Sequence, residues 1–277
     1  MQRGFTLLLF GLLVTSASIA AVDSTEVKSG TLTLAAIYGN NANYYGQTAE
    51  TKLPYALTNA SYRLKNGIYL SAGSYKLINY EGPAISELDL SAGFETNLSK
   101  KLNASIGYTR SFYAQNSPLL QAANENTISA GLGYDFNIFK AVLNNYYSFG
   151  TQRDNFSSLE VSKIMDLGNL FSDKDFISFE PGFEVVGGTI NYLEEYRVEL
   201  GRRNPAAQFP PRPPYEDRIR YSSSFGMLSY NTNLLLGYNR NNYLLEAGWT
   251  FSALGKSISD NSKKTRSFFN LSFYYQF

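Results

Sequence analysis

The sequence predicts an all-β protein, an antiparallel transmembrane β-barrel of about twelve strands with short turns at one end and longer loops at the other. Apolar and polar residues alternate with a period of two in many segments of about ten residues. Aromatic residues make up 15% of the chain, although its mean hydropathy is slightly negative. No segment after Ala20 approaches the roughly eighteen apolar residues of a membrane-spanning helix. These features are typical of a wall with a lipid face and a wet lumen.

The N-terminal segment has the features of a secretory signal peptide. Arg3 supplies a positive charge, Phe5 to Val14 is an apolar run, and Ser18-Ile19-Ala20 places small residues at the two positions that a signal peptidase inspects. We therefore predict a signal peptide over residues 1–20, cleaved after Ala20, and a single barrel domain over 21–277. The chain has no cysteine, which excludes a lipid-anchored lipoprotein and a disulfide framework.

The first half of the chain contains seven predicted strands. Glu87–Glu95 and Leu102–Thr109 are the clearest, because leucine, alanine and aromatic residues take one face and polar or glycine residues take the other. The facing of the second strand is left open, since Pro54 permits a bulge or a change of register. The seven strands are about Thr31–Tyr38, Leu53–Leu64, Ile68–Ile78, Glu87–Glu95, Leu102–Thr109, Ile128–Phe136 and Phe139–Phe149.

The second half is less regular and contains five predicted strands. A break is predicted from Gly188 to Ser223, because five of the nine prolines lie there and a strand cannot continue through them. A strand hidden within Gly188–Leu200 is the alternative, since this segment holds strand-compatible residues. The five strands are about Phe156–Met165, Phe176–Gly187, Ser224–Tyr238, Tyr243–Phe251 and Ser267–Phe277.

The connections predict which strand ends lie together. Asn66-Gly67 is a tight hairpin signal, and the turns at Asn97–Lys100, near Asn137 and at Asn239–Asn242 are also short. Asp166–Asp175 is a moderate connection. These turns alternate with longer loops, as expected for short periplasmic turns and longer external loops. Ten or fourteen strands would preserve the same alternation.

The final strand alternates apolar and mostly polar positions. Its apolar face consists of Phe269, Leu271, Phe273, Tyr275 and Phe277. This stretch resembles the C-terminal β-signal of Gram-negative outer-membrane proteins. The resemblance implies an outer-membrane location, contact with outer-membrane lipid and lipopolysaccharide, and recognition by the barrel-assembly machinery during insertion. The mature chain also resembles small outer-membrane barrels of Bacteroidota, a likeness that implies no particular function.

The same strand has a predicted structural role, because a closed barrel must pair its last strand with its first. We expect Ser267–Phe277 to run antiparallel to Leu32–Tyr38. In that arrangement Phe269, Phe273 and Phe277 face lipid.

Several function classes are excluded by composition. Removing Arg3 with the signal peptide leaves 23 basic and 23 acidic residues, so the mature chain has no global field to attract nucleic acid. The chain has no histidine, so Ser/His and Asp/His catalytic arrangements cannot form. Paired carboxylates could perform acid–base chemistry, but charged residues inside barrels usually line the lumen or form structural salt bridges. We predict no enzyme, no catalytic residue, no cofactor and no metal.

Seven carboxylates are predicted to line the lumen. They are Glu87, Asp89, Glu95, Asp135, Glu180, Glu184 and Glu246. They outnumber the predicted inward bases, Arg63 and Lys140, which favours a passive channel for cations or small neutral polar solutes. Small inward residues such as Gly131 and Gly133 are expected to leave room inside.

Two alternatives stay open. Arginines from the long loop could fold inward and neutralise the acids; these are Arg197, Arg202, Arg203, Arg212, Arg218 and Arg220. The barrel could instead be closed, with external loops that bind a partner or serve a structural role. The proline-rich stretch Gln208–Tyr215 fits a pore plug, a polyproline segment presented to a partner, or a surface loop. The sequence indicates no solute, partner or oligomeric state.

Overall fold

The computed structural model describes residues 30–43, 48, 52–79, 81–113, 124–150, 153–199, 215–255 and 265–277, with the backbone alone for 190–199 and 215–223. Thirteen β-strands account for most of this part of the chain. They are β1 Gly30–Gly39, β2 Tyr55–Leu64, β3 Ile68–Leu77, β4 Glu87–Asn97, β5 Leu102–Tyr113, β6 Asn126–Asp135, β7 Lys140–Phe149, β8 Arg153–Ser162, β9 Met165–Gly168, β10 Asp175–Glu199, β11 Tyr215–Arg240, β12 Tyr243–Leu254 and β13 Thr265–Gln276.

Twelve of these strands form one closed antiparallel ring. Strands β1 to β8 each pair with the next, β8 pairs with β10, and β10 to β13 continue the ring until β13 pairs with β1. Strand β9 is an extra element that pairs with β10 beyond the end of β8. The predicted fold class, an antiparallel β-barrel of about twelve strands, is confirmed.

No helix in the described part of the chain is long and apolar enough to cross a membrane.

The seam between β13 and β1 closes the ring as predicted. Its partners run from Thr33 opposite Gln276 to Gly39 opposite Asn270. Backbone hydrogen bonds extend the pairing at both ends, from Phe277 N to Leu32 O at 2.9 Å and from Asn40 N to Phe269 O at 3.0 Å. Phe273 and Phe277 are 41% and 50% exposed and lie on the outer face, which agrees with the predicted orientation of this strand.

The two faces of the wall differ in chemistry. On β4, Leu88, Leu90 and Phe94 are exposed on the outer face, whereas Glu87 is only 3% exposed on the inner face. The partner register carries this alternation from strand to strand. The exposed outer face therefore presents leucine, isoleucine, valine and aromatic side chains around the ring.

Most short connections lie at one end of the ring and the long ones at the other, where the three-residue β7–β8 connection is also found. The tight-turn rim holds the β2–β3, β4–β5, β6–β7 and β11–β12 turns, and the long-loop rim holds the β1–β2, β3–β4, β5–β6, β10–β11 and β12–β13 connections. Gly67 adopts a φ of 92°, and its N–H donates to Leu64 O at 3.0 Å. Asn137 and Asn241 adopt φ values of 68° and 46°. Asparagine tolerates this conformation better than most residues, which explains how these turns stay short.

The predicted break from Gly188 to Ser223 was wrong for much of its length. Strands β10 and β11 have 25 and 26 residues and pair with each other as far as Glu199 opposite Tyr215. The five prolines of this region lie between the two strands, so they do not interrupt either one. A register shift between Val186 and Gly187 marks a bulge near the end of the shared wall. We call the part of the hairpin formed by residues 189–199 and 215–225 the ribbon.

Two smaller expectations also differ from the structure. The predicted connection Asp166–Asp175 includes most of β9, because Met165–Gly168 finds a partner edge on β10. Pro54 lies just before β2, and its carbonyl accepts a hydrogen bond from Ile78 N at 2.8 Å. Since Pro54 is outside the ladder, β2 pairs without a register shift and Tyr55, Asn59 and Arg63 share its inner face.

Introducing arginine at Leu143, in the middle of β7, tests the lipid-facing assignment of the outer wall. Leu143 is 51% exposed and lies between Leu132 and Leu159, which are also exposed. Leu143→Arg should lower the free energy of unfolding in lipid vesicles by about 2–4 kcal/mol, because the folded barrel would then place the arginine charge in the middle of the hydrocarbon layer. Leu64→Arg, at the tight-turn rim, should cost about 0–1 kcal/mol. Equal costs, measured by urea unfolding, would contradict a membrane-spanning wall.

Candidate functional site: the inner wall of the barrel

The size of the ring decides whether its interior can hold more than side chains. Twelve strands about 4.8 Å apart and tilted by about 40° form a backbone cylinder with a radius of roughly 12 Å. Eight-stranded barrels are just filled by their own side chains, whereas sixteen strands leave an aqueous channel. The chemistry and orientation of the inward side chains are therefore the features of interest.

Large inward side chains lie along the wall, over glycines of neighbouring strands. Tyr69 of β3 faces Gly93 of β4, which faces Gly107 of β5. A Cβ atom on Gly93 would lie 2.5 Å from Tyr69 Cζ, and one on Gly107 would lie 2.5 Å from Tyr69 Oη. Tyr69 thus crosses β4 and reaches β5. Because Cβ atoms cannot approach this closely, an alanine at either position would force Tyr69 to move.

The same arrangement recurs around the ring. In four other pairs, a long side chain lies within 2.4 Å of where the Cβ of a glycine would be. The pairs are Tyr55 over Gly39, Asn103 over Gly133, Phe156 over Gly188 and Asn270 over Gly248. The expectation that inward glycines leave free room was therefore wrong for Gly133. The space beside Gly131 is also taken, by Ser105 Oγ at 2.5 Å from the Cβ position.

One predicted inward base is neutralised by a predicted inward acid. Arg63 of β2 forms a salt bridge with Glu95 of β4. The two side chains meet across β3 near the tight-turn rim, where Glu95 N also donates to Gly67 O at 2.9 Å. Glu95 and Arg63 together add no net charge to the inner wall.

Glu87 and Asp89 lie on the inner face near the long-loop rim. Glu87 faces Tyr113 of β5, and Asp89 faces Ser111. Glu87 and Ser111 are each 3% exposed, and Asp89 Oδ1 is buried without a hydrogen-bond partner. Neither carboxylate forms a salt bridge with any residue that the structure describes. This pair is therefore an uncompensated acidic site in the described wall.

A second acidic group surrounds Gly182 on the opposite side of the ring. Glu180 and Glu184 flank Gly182 on β10, and Glu160 of β8 faces Glu184. Ser162 Oγ donates to Glu180 Oε1 at 2.7 Å, and Asn231 Nδ2 donates to Glu184 Oε2 at 2.9 Å. A Cβ on Gly182 would lie 3.2 Å from Glu160 Oε1. The glycine therefore gives the Glu160 side chain space to lie against the wall.

Glu160 was missed in the sequence analysis. Serines occupy both faces of the Phe156–Met165 segment, so the contrast between an apolar and a polar face is weak there. A stronger signal was the placement of Phe156, Ser158 and Glu160 two residues apart. The inward base Arg266 was missed as well; it faces Ser252 and donates to Thr48 Oγ1 at 2.5 Å.

The other predicted wall carboxylates are placed as follows. Glu246 of β12 lies on the inner face, opposite Gly237 and Ser272. Asp135 is the last residue of β6, is exposed, and accepts a hydrogen bond at Oδ1 from Asn137 N at 2.7 Å. Asp135 therefore orders the β6–β7 turn at the tight-turn rim. Lys140, across from Asp135, also faces Ser162 on the inner wall.

Some predicted features lie outside the described residues. They include the signal peptide with its cleavage site at Ala20 and most of the proline-rich stretch 208–215. The side chains of Arg197, Arg218 and Arg220 and the whole of Arg202, Arg203 and Arg212 are outside them too. No group of three or more His, Cys, Asp or Glu within the described ranges is arranged to hold a metal ion.

Replacing Gly93 tests the close packing of the inner wall. In Gly93→Ala, the new methyl group would meet Tyr69 and the Ile106 carbonyl oxygen, each at 2.5 Å. We expect a loss of about 1–3 kcal/mol in the free energy of unfolding. Gly73→Ala is the matched control, since its nearest neighbour is the flexible Asn59 amide at 3.2 Å. A loss no larger than that of the control, in urea titrations, would contradict the packing of Tyr69 over Gly93.

Comparisons with known proteins identify structural likeness only. No family model matches the chain, and no curated protein matches it. The chain is similar to the structure of a KdgM porin, with TM-score 0.47, 9% identity, and coverage of 89% of this chain and 99% of that one. An outer membrane channel from Pseudomonas putida F1 gives TM-score 0.43, 12% identity, and coverage of 93% and 100%. LpxR from Salmonella typhimurium gives TM-score 0.44, 10% identity, and coverage of 88% and 99%. At these values the likeness indicates no activity for this chain.

Proposed function

We propose that this protein is an outer-membrane channel for the passive passage of small polar solutes, with cations favoured over anions. The observation that carries the proposal is the closed ring itself, with an apolar outer face and a polar, predominantly acidic inner wall. A ring of this size lies between barrels filled by side chains and barrels with wide aqueous channels. No catalytic group is part of the proposal.

The proposed location follows from the outer face and from both ends of the sequence. A closed ladder satisfies its backbone hydrogen bonds without water, as hydrocarbon requires. Residues 1–20 would direct export and be removed after Ala20, leaving 21–277 as the barrel domain. The apolar face of β13 would serve as the assembly signal read by the barrel-assembly machinery. Outer-membrane lipid and lipopolysaccharide would then surround the wall.

The proposed ion preference follows from the inward charges. Arg63 and Glu95 cancel each other, which leaves Lys140 and Arg266 as the described inward bases. The uncompensated inward acids are more numerous. They include Glu87, Asp89, Glu160, Glu180, Glu184 and Glu246. Rings and walls of carboxylates favour cations over anions in water-filled pores.

Reversal potentials in planar bilayers test this function. The purified protein in a KCl gradient should give a reversal potential of the sign expected for cation selectivity. Replacing Glu160, Glu180 and Glu184 with glutamine should move that potential toward zero. Asp135→Asn removes one carboxylate from the tight-turn rim and should change it little. No conductance, or anion selectivity, would exclude the proposal.

A closed barrel that acts through its long-loop rim is the second candidate. Two observations favour it. Ala42, Leu77 and Asn124, all at that rim, are at most 1% exposed, so protein covers part of the rim. At about 3.3 Å per residue, β10 continues for about 36 Å past Gly188, its last residue paired with β8, and β11 for about 46 Å past Ser229, its last residue paired with β12. Such an element could present the proline-rich stretch to a partner.

Deleting Pro205 to Pro214 separates a plug from a surface loop. If this segment obstructs the pore, a glycine–serine replacement should raise single-channel conductance, because the obstruction is removed. An unchanged conductance would leave a surface role for the segment. If the intact protein and the deletion variant both fail to conduct, the closed-barrel function is favoured. A correctly folded state in each case is verified by its resistance to unfolding in SDS without heating.

A further inference from the structure

Four inward residues form one row across neighbouring strands. Glu160 of β8 faces Glu184 of β10, Glu184 faces Asn231 of β11, and Asn231 faces Ser252 of β12. All four belong to the inner face of the ring. The row thus brings two carboxylates, an amide and a hydroxyl to the same level of the wall.

The two carboxylates face each other without a salt bridge in the described part of the chain. Like charges directly opposite each other on antiparallel strands destabilise the pair. Lys140 lies opposite Ser162 and attracts Glu160 electrostatically, and the Arg266 guanidinium donates to Thr48. Glu180 and Glu246 add further negative charge to the same wall.

Two buried oxygens of the same row lack partners, and one of them belongs to Asn231, which contacts Glu184. Asn231 is 6% exposed, and its Nδ2 donates to Glu184, yet its Oδ1 has no hydrogen-bond partner. Ser252 is 1% exposed, and its Oγ also has none. Buried polar atoms are almost always paired, because an unmade hydrogen bond costs about 1–3 kcal/mol. A bound ion with its water would supply these oxygens with partners.

We propose that Glu160, Glu184 and Asn231 form a binding site for a hydrated divalent cation, Ca²⁺ or Mg²⁺. Carboxylate and amide oxygens are the ligands that these hard cations prefer. Two carboxylates cannot fill the coordination shell of the ion, so water would supply most of its ligands. No group of three or more His, Cys, Asp or Glu among the described residues offers a more complete set. Mg²⁺ commonly keeps several waters when one or two carboxylates hold it. Ser252, which faces Asn231, would hydrogen-bond such a water from the next strand.

The absence of a side chain at position 182 lets Glu160 lie along the wall next to Glu184. Gly182 lies between Glu180 and Glu184, and Glu160 Oε1 would be 3.2 Å from a Cβ there. The inference depends on the inner-wall position of these residues and not on solute flow through the barrel.

Calorimetric titration of the detergent-purified, full-length protein with CaCl2 and with MgCl2 tests the site. Wild type should show saturable binding and a rise in Tm, because an ion that binds only the folded state stabilises it. Glu184→Gln and Glu160→Gln should each weaken binding by at least about tenfold. Glu246→Gln is the matched control, since it removes one inward carboxylate that has no carboxylate opposite it.

Each outcome is decisive. Loss of binding in Glu160→Gln and Glu184→Gln but not in Glu246→Gln supports the site. Absence of saturable binding in wild type overturns it. An equal loss in all three variants also overturns it, because diffuse attraction by the acidic wall would then explain the binding. Since the titration needs no conductance, the site and the channel function can fail independently.

Discussion

The pairing of β13 with β1 is the interaction on which the other features of this barrel depend. Without it, two strands would expose unpaired N–H and C=O groups along their whole length, a state that hydrocarbon does not tolerate. Each neighbouring pair of strands has a register of its own, which fixes the side chains that face inward. Because side chains alternate with a period of two, a slip of one residue in one strand would turn its Glu or Asn residues outward. Continuous register around the ring therefore keeps all inward carboxylates on one surface.

The inner wall combines close packing with an uneven distribution of charge. Aromatic and asparagine side chains lie along the wall over glycines, so bulky residues occupy the interior without all pointing at the axis. The Arg63–Glu95 salt bridge neutralises one part of the wall. The strands from β8 to β12 instead carry glutamates beside glycine, serine and asparagine. A solute in the lumen would meet the neutral Arg63–Glu95 pair near the tight-turn rim, Glu87 and Asp89 near the long-loop rim, and further glutamates on β8 to β12.

The sequence predicted the elements whose two faces differ strongly. Strands β4 and β5 alternate leucine or aromatic residues with serine, glycine and acidic ones, so both the strands and the inward position of Glu87 and Asp89 could be predicted. The seam was predictable as well, since β13 has a continuous apolar face. The ribbon was not, because glutamate, arginine and tyrosine occupy both of its faces and it pairs only with itself beyond the wall.

Other features could not be predicted because they depend on which residues become neighbours. Nothing near Glu160 in sequence indicates that it faces Glu184 or lies beside Gly182. The sequence suggested free space beside Gly133 because it does not show that Asn103, from the neighbouring strand, lies over this glycine. Asp135 shares the inward parity of β6, but the turn that follows uses its carboxylate. The odd or even position of a residue along a strand predicts which face of the sheet its side chain is on. It does not predict which atoms that side chain contacts.

The position of Tyr69 has a consequence for how sequences of this fold can diverge. This tyrosine crosses β4 and reaches Gly107 on β5, so residues on two strands that share no hydrogen bonds constrain each other. A larger residue at position 107 requires a smaller one at position 69, whereas position 93 is also limited by the Ile106 carbonyl oxygen. Among related chains, substitutions at positions 69 and 107 should therefore be correlated. A method that converts such correlations into strand pairs would then read a direct β3–β5 pairing where β4 in fact lies between them.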